Sequence, residues 1–290
     1  MIFVKSEDLK YGMRLAKPIY NKTGVLLYER NTRLTLQGIE SVKNFGLLGL
    51  YILEPAEPVP PMTEEDLDFE RFQTMAVFSI REELDNIIAG REPVNLKRLA
   101  NAIITNYGRL DHKITFTQNL RSTTDYVYKH VINTAILCAL ISAQVYYTPT
   151  EQEELVLAAL LHDIGKLLLP NKVREKYDDY DTNDLIIVKK IQNDGLGLLR
   201  PEIGIDSGVR RIVAQIHRME YGNSNLEQGK ILKSTKILKV ANLFDTMTCM
   251  KISEEAISEI AAIKYLLLNK DEFDEEIVGA LIKSINILTP

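Results

Sequence analysis

Residues 155–166 read LVLAALLHDIGK, an apolar segment that runs directly into an adjacent His-Asp pair. The apolar residues predict a buried helix, so His162 and Asp163 should arrive at the inner end of a core helix. Ionisable side chains in a core are costly unless a partner compensates them. A metal ion is an effective partner for a neutral imidazole beside a carboxylate. The segment therefore indicates a candidate metal site built on His162 and Asp163.

The chain has four histidines, and the other three differ in what surrounds them. His130 lies on a long apolar helix, where a lone histidine is usually structural, but the His-Asp pair makes metal ligation the favoured interpretation. His217 lies near a helix end before a glycine turn, so ligand and helix-end roles are equally open. His112 follows Asp111 in a polar segment and is expected at the surface.

Three polar residues extend the candidate site. Lys166 is four residues after His162 and shares its helix face if the helix continues, where it could neutralise a phosphate oxygen or a leaving group. Alternatively, Lys166 only compensates the helix dipole. Asn242 and Asp245 are three apart on a predicted helix. Asp245 could ligate a metal or tether a neighbouring helix, and we favour the tether.

The composition excludes several classes of protein. The 290 residues carry a net charge of −5 with mixed signs and no basic run, which argues against binding to a nucleic-acid polymer. Cys138 and Cys249 lie in apolar helical stretches, which is typical of buried thiols in a reducing compartment. The start of the chain has charges where a signal peptide needs its apolar region, and we expect no apolar run of membrane-spanning length. The sequence predicts a cytoplasmic, bacterial-type protein without membrane association.

The pattern predicts a mostly α protein: an all-helical domain preceded by a small α/β module. Residues 1–53 form the module, 54–62 a proline-rich linker, 63–114 connecting helices and 115–290 the helical domain. Within the module we expect strands at 15–20, 25–28 and 50–53, a hairpin turn at 21–24, and a helix from the Thr35 cap to Phe45, stopped by Gly46. Further helices are predicted at 63–89, 95–109, 117–146, 150–167, 181–199, 206–220, 233–249, 253–267 and 274–287. Phe69, Phe72 and Met75 could serve a homodimer or ordinary core packing.

The order of these motifs resembles the HD superfamily of metal-dependent phosphohydrolases, and more narrowly its HD-GYP branch. The matching segments are Tyr-x-His-x-x-Asn-x-Ala at 128–135, the His-Asp-Ile-Gly-Lys core, His217, the Val-Ala-Asn-x-x-Asp-x-Met-Thr segment at 240–248 and the closing segment at 271–278. The N-terminal module is similar to the small domain that often precedes this branch. Active members hydrolyse cyclic di-GMP with two or three iron or manganese ions.

The resemblance implies a role for each matching residue. His130 would be the first metal ligand, and His162 and Asp163 the pair that bridges the ions. Asp163 and Lys166 would be the catalytic residues, and Lys166 and Lys176 would contact phosphate.

Four departures from the family pattern weaken this expected site. Ile191 stands where the family has the His of a His-Pro pair, and Ile216 replaces one member of a His-His pair, leaving His217. Residues 222–225 replace the Gly-Tyr-Pro loop, and Asn242 replaces the closing Asp ligand. We therefore expect at most one weakly held divalent ion, iron or manganese, with His217 and the neutral amide of Asn242 as further candidate ligands.

These observations predict an HD-GYP-like signalling protein with weak or absent hydrolysis, a pseudo-enzyme that binds a cyclic dinucleotide or a signalling protein. Without two metals, the clamp on the attacking and leaving oxygens is lost. One alternative is an active mononuclear phosphohydrolase acting on a nucleotide or cyclic dinucleotide. The other is a purely structural helical interaction domain. The sequence leaves open whether the chain is an enzyme, and the departures from the family pattern favour a protein without enzymatic activity.

Overall fold

The structure is a computed structural model that describes residues 1–109, 120–121, 125–176, 180–222, 231–251 and 257–285. The chain divides into two compact units, Met1–Ser79 and Ile80–Pro290. The boundary falls inside one long helix, and each unit is considered by itself.

The first unit is a small α/β module around an apolar core. Strands β1 (Ile2–Lys5), β2 (Arg14–Leu15) and β5 (Gly49–Leu53) form an antiparallel sheet in the order β1-β5-β2. Strands β3 (Ile19–Tyr20) and β4 (Leu26–Tyr28) form a hairpin. Helix α1 (Leu36–Asn44) begins at Thr35, whose hydroxyl accepts from the Gly38 amide as the sequence predicts. The core residues are Leu9, Leu15, Ile19, Leu34, Ile39, Val42, Leu50 and Ile52.

The strand predicted at 15–20 is wrong in one respect, because it is two short strands in different sheets. Pro18 lies between them, and a proline cannot donate to a strand ladder. The predicted hairpin turn is confirmed. The Asn21 side chain accepts from the amides of Thr23 and Val25, and Gly24 has the positive φ of 78° that favours glycine.

Helices make up most of the second unit, which confirms the predicted fold class. After α2 (Glu64–Ile88), which begins at Thr63 in a capping box with Asp66, the described helices follow in chain order. They are α3 (Leu96–Tyr107), α4 (Tyr126–Gln144), α5 (Pro149–Leu161), α6 (Asn171–Arg174), α7 (Thr182–Leu198), α8 (Ser207–Tyr221), α9 (Lys233–Thr248), α10 (Glu259–Leu268) and α11 (Glu275–Ser284). Short 3-10 helices cover Ile164–Leu168 and Pro201–Ile203.

Helix α4 is the centre of this unit and packs against α3, α5, α9 and α11. Contrary to the expectation from sequence, α4 is long and apolar enough to cross a membrane, the one such helix among the described residues. Of the 18-residue apolar window in this helix, 89% is buried inside the protein, as expected of a core helix. Cys138, on this helix, is a fully buried free thiol, as expected.

Three predicted helices have different boundaries. The helix predicted at 253–267 begins at Glu259, after the Ser258 cap. The helix predicted at 117–146 begins at Tyr126, and Leu120–Arg121 instead form strand β6, paired in parallel with β7 (Met250–Lys251). The helix predicted at 150–167 ends at Leu161, with the 3-10 segment Ile164–Leu168 after it. Helix α7 approaches that segment so closely that a Cβ on Gly195 would lie 2.6 Å from the Gly165 Cα.

Candidate metal centre

Three side chains from two core helices converge at the inner end of α5. His130 comes from α4, while His162 caps the C-terminus of α5 and Asp163 follows it. The Asp163 Oδ2 atom lies 3.4 Å from His130 Nε2 and 3.6 Å from His162 Nε2, and all three residues are at most 1% exposed. Their ligand atoms all lie within 4.8 Å of one another, a grouping that could hold one metal ion.

The Nδ1 atom of each imidazole makes a hydrogen bond to an acceptor outside the shared centre. His130 Nδ1 donates to Asp245 Oδ2 at 2.6 Å, and His162 Nδ1 donates to the Ala159 carbonyl at 2.7 Å. These acceptors fix the proton on Nδ1 and leave the lone pair on Nε2, directed at the shared centre. Tyr126 stacks on the His130 ring, with 7° between the planes, and further restricts its rotation. Asp245 thus tethers α9 to α4, as the sequence analysis favoured.

This arrangement brings two nitrogen lone pairs and a carboxylate oxygen together in a core. Burial lowers the pKa of His162 to about 4, so its imidazole is neutral at pH 7. Within the described part of the chain, His162 Nε2 makes no hydrogen bond. The two imidazole nitrogens and the carboxylate surround one centre, and Lys166 is a cation beside Asp163 alone, so the geometry fits a further positively charged occupant. Two imidazoles and one carboxylate suit a divalent transition ion.

Lys166 supplies one positive charge to the centre. Its Nζ lies 2.8 Å from Asp163 Oδ2, and the side chain is buried. Lys166 would share a face with His162 if α5 continued, but α5 ends at Leu161, and the 3-10 segment, with three residues per turn, aligns Lys166 with Asp163 instead. Burial opposes ionisation of Asp163, but the positive charge of Lys166 outweighs it and holds the pKa of Asp163 well below its usual range.

Helices α7 and α8 each add a hydrogen bond to the His-Asp pair. Gln192 donates its side-chain amide to Asp163 Oδ1 at 2.9 Å. His217 donates from Nε2 to the His162 carbonyl at 2.6 Å, so only its Nδ1 remains for another ligand. Burial lowers the pKa of His217 below its ordinary value. The sequence analysis missed Gln192. Its position on α7, one residue after Ile191, is the only feature of the sequence that could have indicated it.

The positions where the sequence departs from the family pattern do not add ligands to the cluster. Ile191 packs against the apolar group formed by Leu169, Val173 and Val188. Ile216 is fully buried in the core. Asn242 donates its amide to Glu220 Oε1 at 2.6 Å, at the exposed edge of α8 and α9.

Two further sequence predictions concern residues away from the cluster. Lys176 forms ion pairs with Asp181 and Asp184 at the start of α7, and these pairs raise the pKa of its ammonium group. Its predicted contact with phosphate remains a prediction. His112, and residues 223–225 of the segment that replaces the Gly-Tyr-Pro loop, lie outside the described residues.

Comparisons with known proteins identify relatives of this chain. The chain is 26% identical over 152 residues to the cyclic di-GMP phosphodiesterase response regulator RpfG of Xanthomonas campestris pv. campestris, covering 51% of this chain and 40% of that protein. It is 24% identical over 172 residues to the cyclic di-GMP phosphodiesterase PdeB of Borreliella burgdorferi, covering 57% and 44%. The chain is homologous to these phosphodiesterases but spans less than half of their length.

The fold has a solved counterpart. The HDG"Y"P protein Bd1817 of Bdellovibrio bacteriovorus superposes with a TM-score of 0.57 at 17% identity, covering 97% of both chains. A family model described as "HD domain" matches residues 93–277, which include every residue of the cluster. The chain therefore belongs to the HD domain family.

Proposed function

We propose that this chain is an HD-GYP-like signalling protein that retains one divalent metal site and has weak or absent cyclic di-GMP hydrolysis. The observation that carries the proposal is the convergence of His130, His162 and Asp163 on one centre, with Ile191 and Ile216 packed into the core. Two imidazoles and one carboxylate satisfy a single ion. A second ion would need ligands that these isoleucines cannot supply.

The residues of the centre divide into ligands and supports. His130, His162 and Asp163 would hold the ion, and Asp245 would orient His130 through its hydrogen bond. A bound divalent ion would supply Lewis acidity toward a phosphoryl oxygen. Lys166 keeps positive charge beside Asp163 and would face the same phosphoryl group. One ion lacks the paired arrangement that clamps both attacking and leaving oxygens, so diester hydrolysis should be slow.

A mononuclear phosphohydrolase is the second candidate, and the buried Lys166–Asp163 pair favours it. A cation next to a metal ligand can stabilise charge that develops on phosphate during hydrolysis. Its substrate would be a nucleotide or a cyclic dinucleotide.

The metal content of the protein tests these candidates. Protein prepared without oxygen and offered iron and manganese should bind about one ion per chain, a count that follows from the three-ligand set. His130→Ala and Asp163→Asn should lose the ion, whereas the exposed control Asp194→Asn should keep it. Cyclic di-GMP should bind without appreciable turnover.

Other results of these measurements would favour a different function for the chain. Robust metal-dependent hydrolysis of a cyclic dinucleotide, abolished in Asp163→Asn, would overturn the signalling proposal in favour of an active phosphodiesterase. Hydrolysis of a nucleotide alone would favour the mononuclear phosphohydrolase. Absence of both metal and cyclic dinucleotide would leave the structural interaction domain.

The same proposal includes the location of the protein and its partners. A signalling protein that binds a cyclic dinucleotide would act in the cytoplasm, and its output would pass to a protein partner or to a second copy of the chain. Size-exclusion chromatography with light scattering, with and without cyclic di-GMP, measures whether the chain forms a homodimer.

A further inference from the structure

A cavity of about 210 Å³ lies between helices α7 and α8. From α7 it is lined by Lys189, Gln192, Asn193 and Leu196, and from α8 and its end by Ala214, His217, Arg218, Tyr221 and Gly222. This volume is below the range of drug-sized ligand pockets and suits a small group.

The described residues that line this cavity carry a charge opposite in sign to the net charge of the whole chain. The chain has a net charge of −5, yet the described lining residues include two cations, Lys189 and Arg218, and no carboxylate. Cations from two helices that face one space raise the local concentration of anions. Arg218 can in addition make paired hydrogen bonds to a phosphoryl group.

The cavity also contains a buried nitrogen atom to which a ligand could donate a hydrogen bond. His217 is 4% exposed and lines the cavity, and its Nε2 is committed to the His162 carbonyl. Its Nδ1 makes no hydrogen bond among the described residues. With the proton on Nε2, Nδ1 is an acceptor and would receive a hydrogen bond from a hydroxyl group. A buried acceptor without a partner is unfavourable, so a ligand with a hydroxyl would stabilise it.

We infer that this cavity binds a phosphoryl group, as free hydrogen phosphate or as the phosphate of a small phosphomonoester, through Lys189, Arg218 and the Nδ1 atom of His217. Hydrogen phosphate carries both the negative charge that the two cations attract and a hydroxyl proton for Nδ1. In a sugar phosphomonoester the phosphate supplies the charge and a sugar hydroxyl supplies the proton. Because Gln192 and His217 also contact Asp163 and the His162 carbonyl, the bound anion lies one residue away from the metal centre.

Binding to metal-free protein tests the inference separately from the proposed function. The probes are inorganic phosphate and ribose 5-phosphate, with ribose as the uncharged control, added to chelator-treated protein and followed by calorimetry. Binding of either phosphate, but not ribose, is expected. If only ribose 5-phosphate binds, the source is a phosphomonoester; if both bind alike, the phosphoryl group alone suffices. Binding should survive in His130→Ala, which removes the metal centre only.

Matched variants locate the site. Lys189→Met and Arg218→Gln should each weaken binding about tenfold, the loss expected for one charge-assisted contact. Lys190 is adjacent to Lys189, and Arg211 lies on the same helix as Arg218; both are exposed and do not line the cavity. The control variants Lys190→Met and Arg211→Gln should therefore leave binding unchanged. His217→Gln keeps a nitrogen donor near the Nε2 position, removes the Nδ1 acceptor and should weaken binding several-fold. Equal weakening in cavity and control variants, or phosphate binding only to metal-loaded protein, would overturn the inference.

Discussion

The hydrogen bond between Asp245 and His130 links the proposed metal site to a helix that contributes no ligand to the cluster. Replacement Asp245→Asn keeps the size of the side chain and an oxygen that can accept from His130 Nδ1. It removes the negative charge of Asp245. That charge holds the proton on Nδ1 of His130 and makes Nε2 more basic. Because His130 is fully buried and Asp245 is 3% exposed, solvent screens this interaction little.

The size of the effect follows from the 2.6 Å contact. Loss of a supporting partner of this kind lowers metal affinity by about 10- to 100-fold. That range corresponds to about 1.4–2.8 kcal/mol of binding free energy. In the metal-free protein, a neutral hydrogen bond replaces a charge-assisted one, so the free energy of unfolding should fall by about 1–2 kcal/mol.

Competition with a chelating indicator measures manganese affinity, and urea unfolding in excess chelator measures the stability of the metal-free protein. Asp194→Asn removes the same charge from an exposed position on α7 and serves as the control. Manganese affinity in Asp245→Asn equal to that of the control would refute the reasoning. It would mean that His130 is not a ligand, or that its orientation does not depend on Asp245.

Three further predictions concern pH, packing and the edge of the site. The metal-free protein should lose stability as the pH falls from about 6.5 to about 4. Burial lowers the pKa of His162 from 6.5 to about 4, so in this pH range the imidazole binds a proton in the unfolded chain but not in the folded protein. This contribution is about 3 kcal/mol, and urea unfolding at several pH values should give a shallower dependence for His162→Gln. Gly195→Ala should destabilise by about 1–3 kcal/mol because its Cβ would meet neighbouring backbone, whereas Gly197→Ala on the same helix, with open space around it, should stabilise by about 0.5–1 kcal/mol. Thermal unfolding of the two variants measures the contrast, and equal effects would contradict the close contact. Asn242→Asp should place a carboxylate beside Glu220 and lower the melting temperature of metal-free protein, an effect that added salt should reduce; a higher melting temperature would contradict the contact.

The local pattern of the sequence was enough to predict the fold class. Helical periodicity gave the helices of the second unit, and the Thr35 cap and the Asn21 turn were read from residues whose side chains bond to the nearby backbone. The apolar run before His162 was enough to predict that the His-Asp pair is buried. These features depend on interactions between residues close in the chain.

Long-range packing decided the details that the sequence left open. The sequence could not place Gln192 on Asp163 or pair Asp245 with His130, because their partners are 29 and 115 residues away. It also could not decide whether the helix continues past His162. The sequence by itself determined which residue types reach the core. Only the tertiary structure decided which atoms face one another there, because those contacts depend on how separate helices pack.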